Sequence, residues 1–250
     1  LPASVSRAPS RPSTPSIPAR FRLFRLSGLL KAYGAGRRLR NLAAAIGLII
    51  LAPGAAIADP VTIVALGDSL TAGYGLAPED GFVPQLQRWL DARGAEARVL
   101  NAGVSGDTTA GGLARTDWAL VPETGVVIVT LGGNDLLRGL PPEEARANLD
   151  AILTKTGERG LPVLLVPMIA PGNYGPDYKA AFDAIYPDLA AAHGARLASP
   201  FLAPILALPD RNAALQDYMQ PDALHPNPAG VALVVETLGP EVLALIEGAK

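Results

Sequence analysis

The chain has 250 residues, 49% hydrophobic and 18% charged, with 21 Lys+Arg, 23 Asp+Glu, two histidines and no cysteine. That length and apolar content suit one globular domain, or at most two small ones, and exclude a mostly disordered chain. Without cysteine there is no disulfide scaffold, thiol nucleophile or thiolate zinc site, and His193 and His225 alone argue against a multi-histidine metal site.

The charge is unevenly placed. Residues 1–58 carry nine basic residues and no acidic one, and the first carboxylate is Asp59. From residue 59 onward 12 basic residues face 23 acidic ones, a formal charge of −11. Such a domain repels phosphate backbones, so nucleic acid is not an expected partner. Residues 1–36 read as a disordered basic extension, rich in Pro, Ser and Arg at its start. Residues 37–58 follow the secretory-signal pattern: Arg37, Arg38 and Arg40, an apolar run from Leu42 to Ala52, then Ala56-Ile57-Ala58 as a small-x-small site. Cleavage is expected after Ala58, which makes the mature protein periplasmic or secreted. The rival is an uncleaved anchor, but Pro53-Gly54 interrupts the run short of the roughly 20 residues a span needs. Arg37-Arg38 also begins a twin-arginine pattern, and both export routes stay open.

Residues 59–250 read as alternating strand and helix. Val61–Leu66 is a short β-branched run fit for a buried strand. Phe82, Leu86, Trp89 and Leu90 give one apolar helix face. Arg98–Asn101 is the second strand, followed by a helix over 108–120 capped by Asp107 or Thr108. Val126–Leu131 is the third strand. Ala145, Leu149, Ile152 and Leu153 mark a helix after Pro141-Pro142. Val163–Pro167 is the fourth strand, Phe182 to Leu189 the next helix, and Arg196–Ala198 a short fifth strand. Val231 to Ile246 line a C-terminal helix, expected to bend at Gly239-Pro240. The alternation predicts an α/β fold: a three-layer, flavodoxin-like sandwich around a five-stranded parallel sheet in the order 2-1-3-4-5. In such sheets the site lies beyond the carboxyl ends of the strands.

Those ends carry Gly67-Asp68-Ser69-Leu70, Asn101 through Thr108, and Gly132-Gly133-Asn134-Asp135; Asp222-Ala223-Leu224-His225 lies near the C-terminus. The set suits acyl transfer. A serine hydroxyl needs a base, imidazole serves near neutral pH, and a carboxylate on its other nitrogen fixes the tautomer. The developing oxyanion needs fixed donors. Ser69, His225 and Asp222 fit the first three roles; the backbone N–H groups of Ser69 and Gly106 and the amide of Asn134 fit the last. Leu136, Leu137 and Leu140, with Ile169, Pro171 and Tyr174, are candidates to bind an acyl chain, against a plain reading as loop packing.

The segments IVALGDSLTAGYG, NAGVSGDTTAGGLAR, LGGNDLLRGL, NYGPDYKAAFDAIYPDLA and PDALHPN, in this order, resemble the SGNH (GDSL) hydrolase superfamily. Within it they are most similar to the bacterial periplasmic thioesterase, protease and lysophospholipase group and to arylesterases. The resemblance spans about Val61 to Ile246 and makes residues 59–250 the hydrolase domain. It implies Ser69 as nucleophile, His225 as base, Asp222 as its partner, and Ser69, Gly106 and Asn134 as the oxyanion hole. It also implies a small-molecule ester or thioester substrate, no cofactor and no metal.

Two rivals share the fold: a carbohydrate acetyl esterase and a catalytically silent envelope-binding module. A nucleotide-binding protein is disfavoured because no phosphate-cradling glycine motif follows a strand. The remaining marked residues have local readings. Asp68 shapes its turn, Asp135 caps or orients Asn134, His193 ends a helix, and Trp89 and Trp118 lie in the core.

Overall fold

The computed structural model describes residues 59–249. The expected basic extension and signal segment, with its cleavage site after Ala58, lie outside the described residues. Five parallel strands form one sheet: β1 Val61–Gly67, β2 Ala97–Gly103, β3 Thr124–Thr130, β4 Val163–Leu165 and β5 Arg196–Leu197. Their order is β2-β1-β3-β4-β5, as the alternation predicts. β1 and β3 are buried almost throughout, because helices cover both faces of the central strands. At one edge β2 alternates between buried and exposed positions; at the other, the two residues of β5 are exposed.

The helices are α1 Ser69–Ala72, α2 Phe82–Asp91, α3 Thr109–Ala119, α4 Gly133–Arg138, α5 Pro142–Glu158, α6 Pro176–Asp183, α7 Ile185–His193, α8 Ala203–Leu206, α9 Arg211–Tyr218 and α10 Pro228–Ala249. α3, α5 and α7 pack in sequence with one another, while α2, α8 and α9 pack against α10, giving the two outer layers. Apolar periodicity explains the long elements: Phe82, Leu86 and Leu90 of α2, and Leu149, Ile152 and Leu153 of α5, are almost wholly buried. α10 is long and apolar enough by composition to span a membrane. In the fold its stripe of Val231, Val234, Val235, Leu238, Val242 and Ile246 is buried in the core.

Several local expectations change. The helix expected around Phe182–Leu189 is two helices, α6 and α7. Pro187 has no N–H for the Asp183 carbonyl one turn back, and the break falls there. The C-terminal helix is one continuous element, as expected, with Gly239-Pro240 inside it. A Cβ at Gly239 would press into the Trp89 ring, so this glycine lets α10 lie close to α2. Trp89 is buried as expected, but Trp118 is 85% exposed. The buried positions of α3 are Thr109, Gly112, Thr116 and Ala119, and Trp118 falls off that stripe.

Candidate active site

The site is assembled at the carboxyl end of the sheet. β1 ends at Gly67, and Asp68 caps α1 by accepting a hydrogen bond from the Leu70 N–H at 3.0 Å. Ser69 is therefore the first residue of a one-turn helix directly beyond the strand. The 222–225 segment folds back on itself. Asp222 Oδ1 accepts from the backbone N–H groups of Leu224 and His225, both at 3.0 Å. Ala223 takes φ +54°, which a non-glycine residue adopts only at a cost of about 1–2 kcal/mol. The turn so formed sets the Asp222 side chain against the His225 ring.

His225 Nδ1 lies 2.6 Å from Asp222 Oδ2, and its Nε2 lies 2.8 Å from Ser69 Oγ. An ionised carboxylate only accepts, so Nδ1 carries the proton and Nε2 presents its lone pair to the serine hydroxyl. Partial burial, the largest single influence on Asp222, pushes its pKa up. The hydrogen bonds from the His225 ring and from the His225 and Leu224 amides outweigh it and bring the value down to about 2. Asp222 is thus ionised across the neutral range. The Tyr74 ring lies 4.8 Å from the His225 ring, tilted by 42°. Gln220 ties the two segments together: its Nε2 donates to the Tyr74 and Pro226 carbonyls, and its backbone N–H donates to the His225 carbonyl.

Asn134 stands in the first turn of α4, beyond β3. Its Nδ2 donates to the Asp107 carbonyl at 2.9 Å and lies 3.4 Å from Asp68 Oδ2. Gly106 sits in the turn closed by Asp107 N–H to the Val104 carbonyl, with φ +88°, a conformation glycine adopts without strain. Asp68 is buried, with 2% exposure. Loss of solvent raises its pKa to about 6, against the lowering effects of the Leu70 amide, the His225 ring and Asn134. Asp135 does not orient Asn134. Its two oxygens accept from the Thr109 N–H and hydroxyl, at 2.9 and 2.7 Å, and so pin the start of α3. Thr108 is the N-cap of that helix, its hydroxyl accepting from the Gly111 N–H. His193 does end α7, where its ring also pairs with Asp150.

A cavity of about 630 Å³ opens beside Ser69 and His225. Leu136, Leu137, Ile169, Pro171 and Tyr174 line it, with Asn134. Leu140 and Gly106 are not part of its wall; the Leu140 carbonyl accepts from the Tyr178 hydroxyl instead. The opposite wall comes from Pro200, Phe201, Leu202, Ala203 and Leu206, which follow β5. These residues carry no motif; their one mark in the sequence is that they follow the fifth strand, where the strand-end rule also applies. Tyr74 and Gln220 were not singled out in the sequence, because the contact that joins them spans 146 residues.

The chain matches the GDSL-like lipase/acylhydrolase family over residues 65–233. It belongs to that family. As a GDSL-like hydrolase it is an ester-hydrolysing enzyme, in keeping with the names of its relatives. Esterase TesA of Pseudomonas aeruginosa is 38% identical over 186 residues, 74% of this chain and 89% of that one. Thioesterase 1/protease 1/lysophospholipase L1 of Escherichia coli is 34% identical over 200 residues, 80% of this chain and 90% of that one. Among solved structures, the SGNH-hydrolase family esterase AlinE4 is 44% identical, with a TM-score of 0.59, over 73% of this chain and 95% of that one. The GDSL-like assignment and the five-stranded α/β sheet agree with the fold and family expected from the sequence.

Proposed function

We propose that the protein cleaves carboxylic esters and thioesters bearing an apolar acyl chain, through an acyl-serine intermediate on Ser69. One observation carries this reading: the unbroken chain of short contacts from Asp222 through His225 to Ser69 Oγ. Ser69 Oγ attacks the acyl carbonyl carbon as His225 Nε2 takes the hydroxyl proton. Asp222 holds the ring orientation and balances the imidazolium charge. The oxyanion is stabilised by the Ser69 and Gly106 N–H groups and the Asn134 amide. His225 then returns the proton to the departing oxygen or sulfur as the bond to the acyl carbon breaks. Water, deprotonated by the same nitrogen, attacks the acyl-serine; the bond from the acyl carbon to Oγ breaks as His225 returns the proton to Ser69, and the acid is released.

The cavity lies within the roughly 300–1,000 Å³ typical of small-molecule sites. Its leucine, isoleucine, proline and phenylalanine walls suit an acyl chain, and an acetyl group would leave most of it empty. Leu136, Leu137, Ile169 and Tyr174 are the acyl-contacting residues in this reading. That favours thioesterase, lysophospholipase or arylesterase activity over carbohydrate deacetylation. The intact serine–histidine–aspartate set argues against a silent binding module. We also infer export to the periplasm or beyond, with the signal at 37–58 removed after Ala58; this rests on the sequence pattern alone, and N-terminal sequencing of exported material tests it.

The deciding experiment is fluorophosphonate labelling of wild type and Ser69→Ala, together with turnover of p-nitrophenyl esters of graded chain length. The expected result is labelling and turnover in wild type and neither in the variant. Persistent labelling of Ser69→Ala would assign the chemistry to another serine.

A further inference from the structure

Arg115 on α3 makes three short contacts, each to a different stem of the site. Its Nε donates to Asp107 Oδ2 at 2.6 Å, one Nη to the Ala102 carbonyl at 2.7 Å, and the other to the Gly67 carbonyl at 2.8 Å. Its side chain is 17% exposed and that of Asp107 18%. Gly67 is two residues before Ser69. Ala102 and Asp107 bracket the Val104–Asp107 turn that holds Gly106, and the Gly67 carbonyl also accepts from the Val104 N–H. The Asp107 carbonyl accepts from Asn134 Nδ2. One guanidinium thus touches the supports of all three proposed oxyanion donors.

We propose that Arg115 is the positioning residue of the oxyanion hole, fixing the Ser69 N–H, the Gly106 N–H and the Asn134 amide relative to one another. This rests on the acyl-transfer reading above. A planar guanidinium suits the task, because its donors diverge in fixed directions toward two carbonyls and a carboxylate. A lysine ammonium keeps the charge but has neither that fixed fork nor the same reach. The two carbonyls belong to the last residue of β1 and the last but one of β2, so the contact locks the edge at which Ser69 and the Gly106 turn emerge. Asp107 serves twice: its side chain receives Arg115 and its backbone receives Asn134. No proton passes through Arg115. It acts by holding donors where negative charge develops, so its effect falls on the transition state rather than on substrate binding.

The test is a double-mutant cycle of Arg115→Lys and Asn134→Ala. Each protein is assayed well below its own melting temperature on a p-nitrophenyl ester. Misplaced donors should lower kcat about 10–100-fold in Arg115→Lys with KM nearly unchanged. Asn134→Ala should lower it about 10²–10³-fold. The double variant should lose much less than the product of the two, because Arg115 acts partly through Asn134. Full activity in Arg115→Lys, or losses that simply multiply, would overturn the proposal. If Arg115→Lys does not melt cooperatively, Asp107→Asn replaces it in the cycle with the same expectation of a kcat loss that is not independent of Asn134. A wild-type enzyme without Ser69-dependent turnover would instead overturn the acyl-transfer reading and this proposal with it, whereas an unimpaired Asn134→Ala would overturn this proposal and leave the acyl-serine chemistry standing.

Discussion

Replacing Asp68 with asparagine should stabilise the protein at pH 8 far more than at pH 4.5. The carboxyl is 2% exposed, beside Asn134 and one residue from Ser69. Burial raises its pKa from 3.8 to about 6, and the Leu70 amide and the His225 ring only partly compensate. In the unfolded chain the group ionises near 3.8; in the folded chain it keeps its proton until about 6. Folding therefore takes up a proton between those values, which favours the native state as pH falls. Above about pH 6 the full cost of burying the anion is present. Taking 1.36 kcal/mol per tenfold change in proton affinity, that cost is ~3 kcal/mol at pH 8 and ~1 kcal/mol at pH 4.5. Asparagine keeps an acceptor for the Leu70 N–H and carries no charge, so relative to wild type it should gain ~2 kcal/mol between those two pH values. Urea melts of both proteins at the two pH values measure the difference directly. A stability difference that does not change with pH would refute the reasoning, because it would mean Asp68 ionises alike in both states.

Two further outcomes follow from the same structure. Tyr186 is fully buried and its hydroxyl donates to the Leu131 carbonyl at 2.9 Å, at the entry to the Gly132-Gly133-Asn134 turn. Tyr186→Phe should cost about 1–3 kcal/mol by leaving that carbonyl unpaired; a denaturation midpoint equal to wild type would mean the hydrogen bond contributes nothing. Leu206→Trp should fill part of the acyl cavity and move preference toward short chains. At about 0.8 kcal/mol per buried methylene, excluding two methylenes costs about 10-fold in kcat/KM on long esters relative to short ones. An unchanged chain-length profile would place the acyl group elsewhere.

The local sequence was enough for the elements and for the chemical types at the site. β1 and β3 are rich in β-branched apolar residues because both faces of a central parallel strand are buried, and that pattern survives without tertiary information. The Asp222–His225 pair is a local contact of residues three apart, so it too was legible. Ser69, Gly106 and Asn134 could be named because the topology rule says where strands end.

What the sequence left open depended on contacts between segments distant along the chain. Trp118 shares the composition of a core residue, and only its angle on α3 puts it in solvent. Gly239 is one more small residue on a helix until the Trp89 ring occupies the space a Cβ would need. Asp135 turns to Thr109 rather than to its neighbour, and the wall after β5 closes a cavity begun after β3 and β4. Arg115 is one more polar residue on a helix until the fold brings it against Gly67, 48 residues away. Local pattern fixes which face of an element is apolar; the pairing of polar groups is settled by whichever donor and acceptor the folded chain brings within reach, and that is a property of the tertiary structure alone.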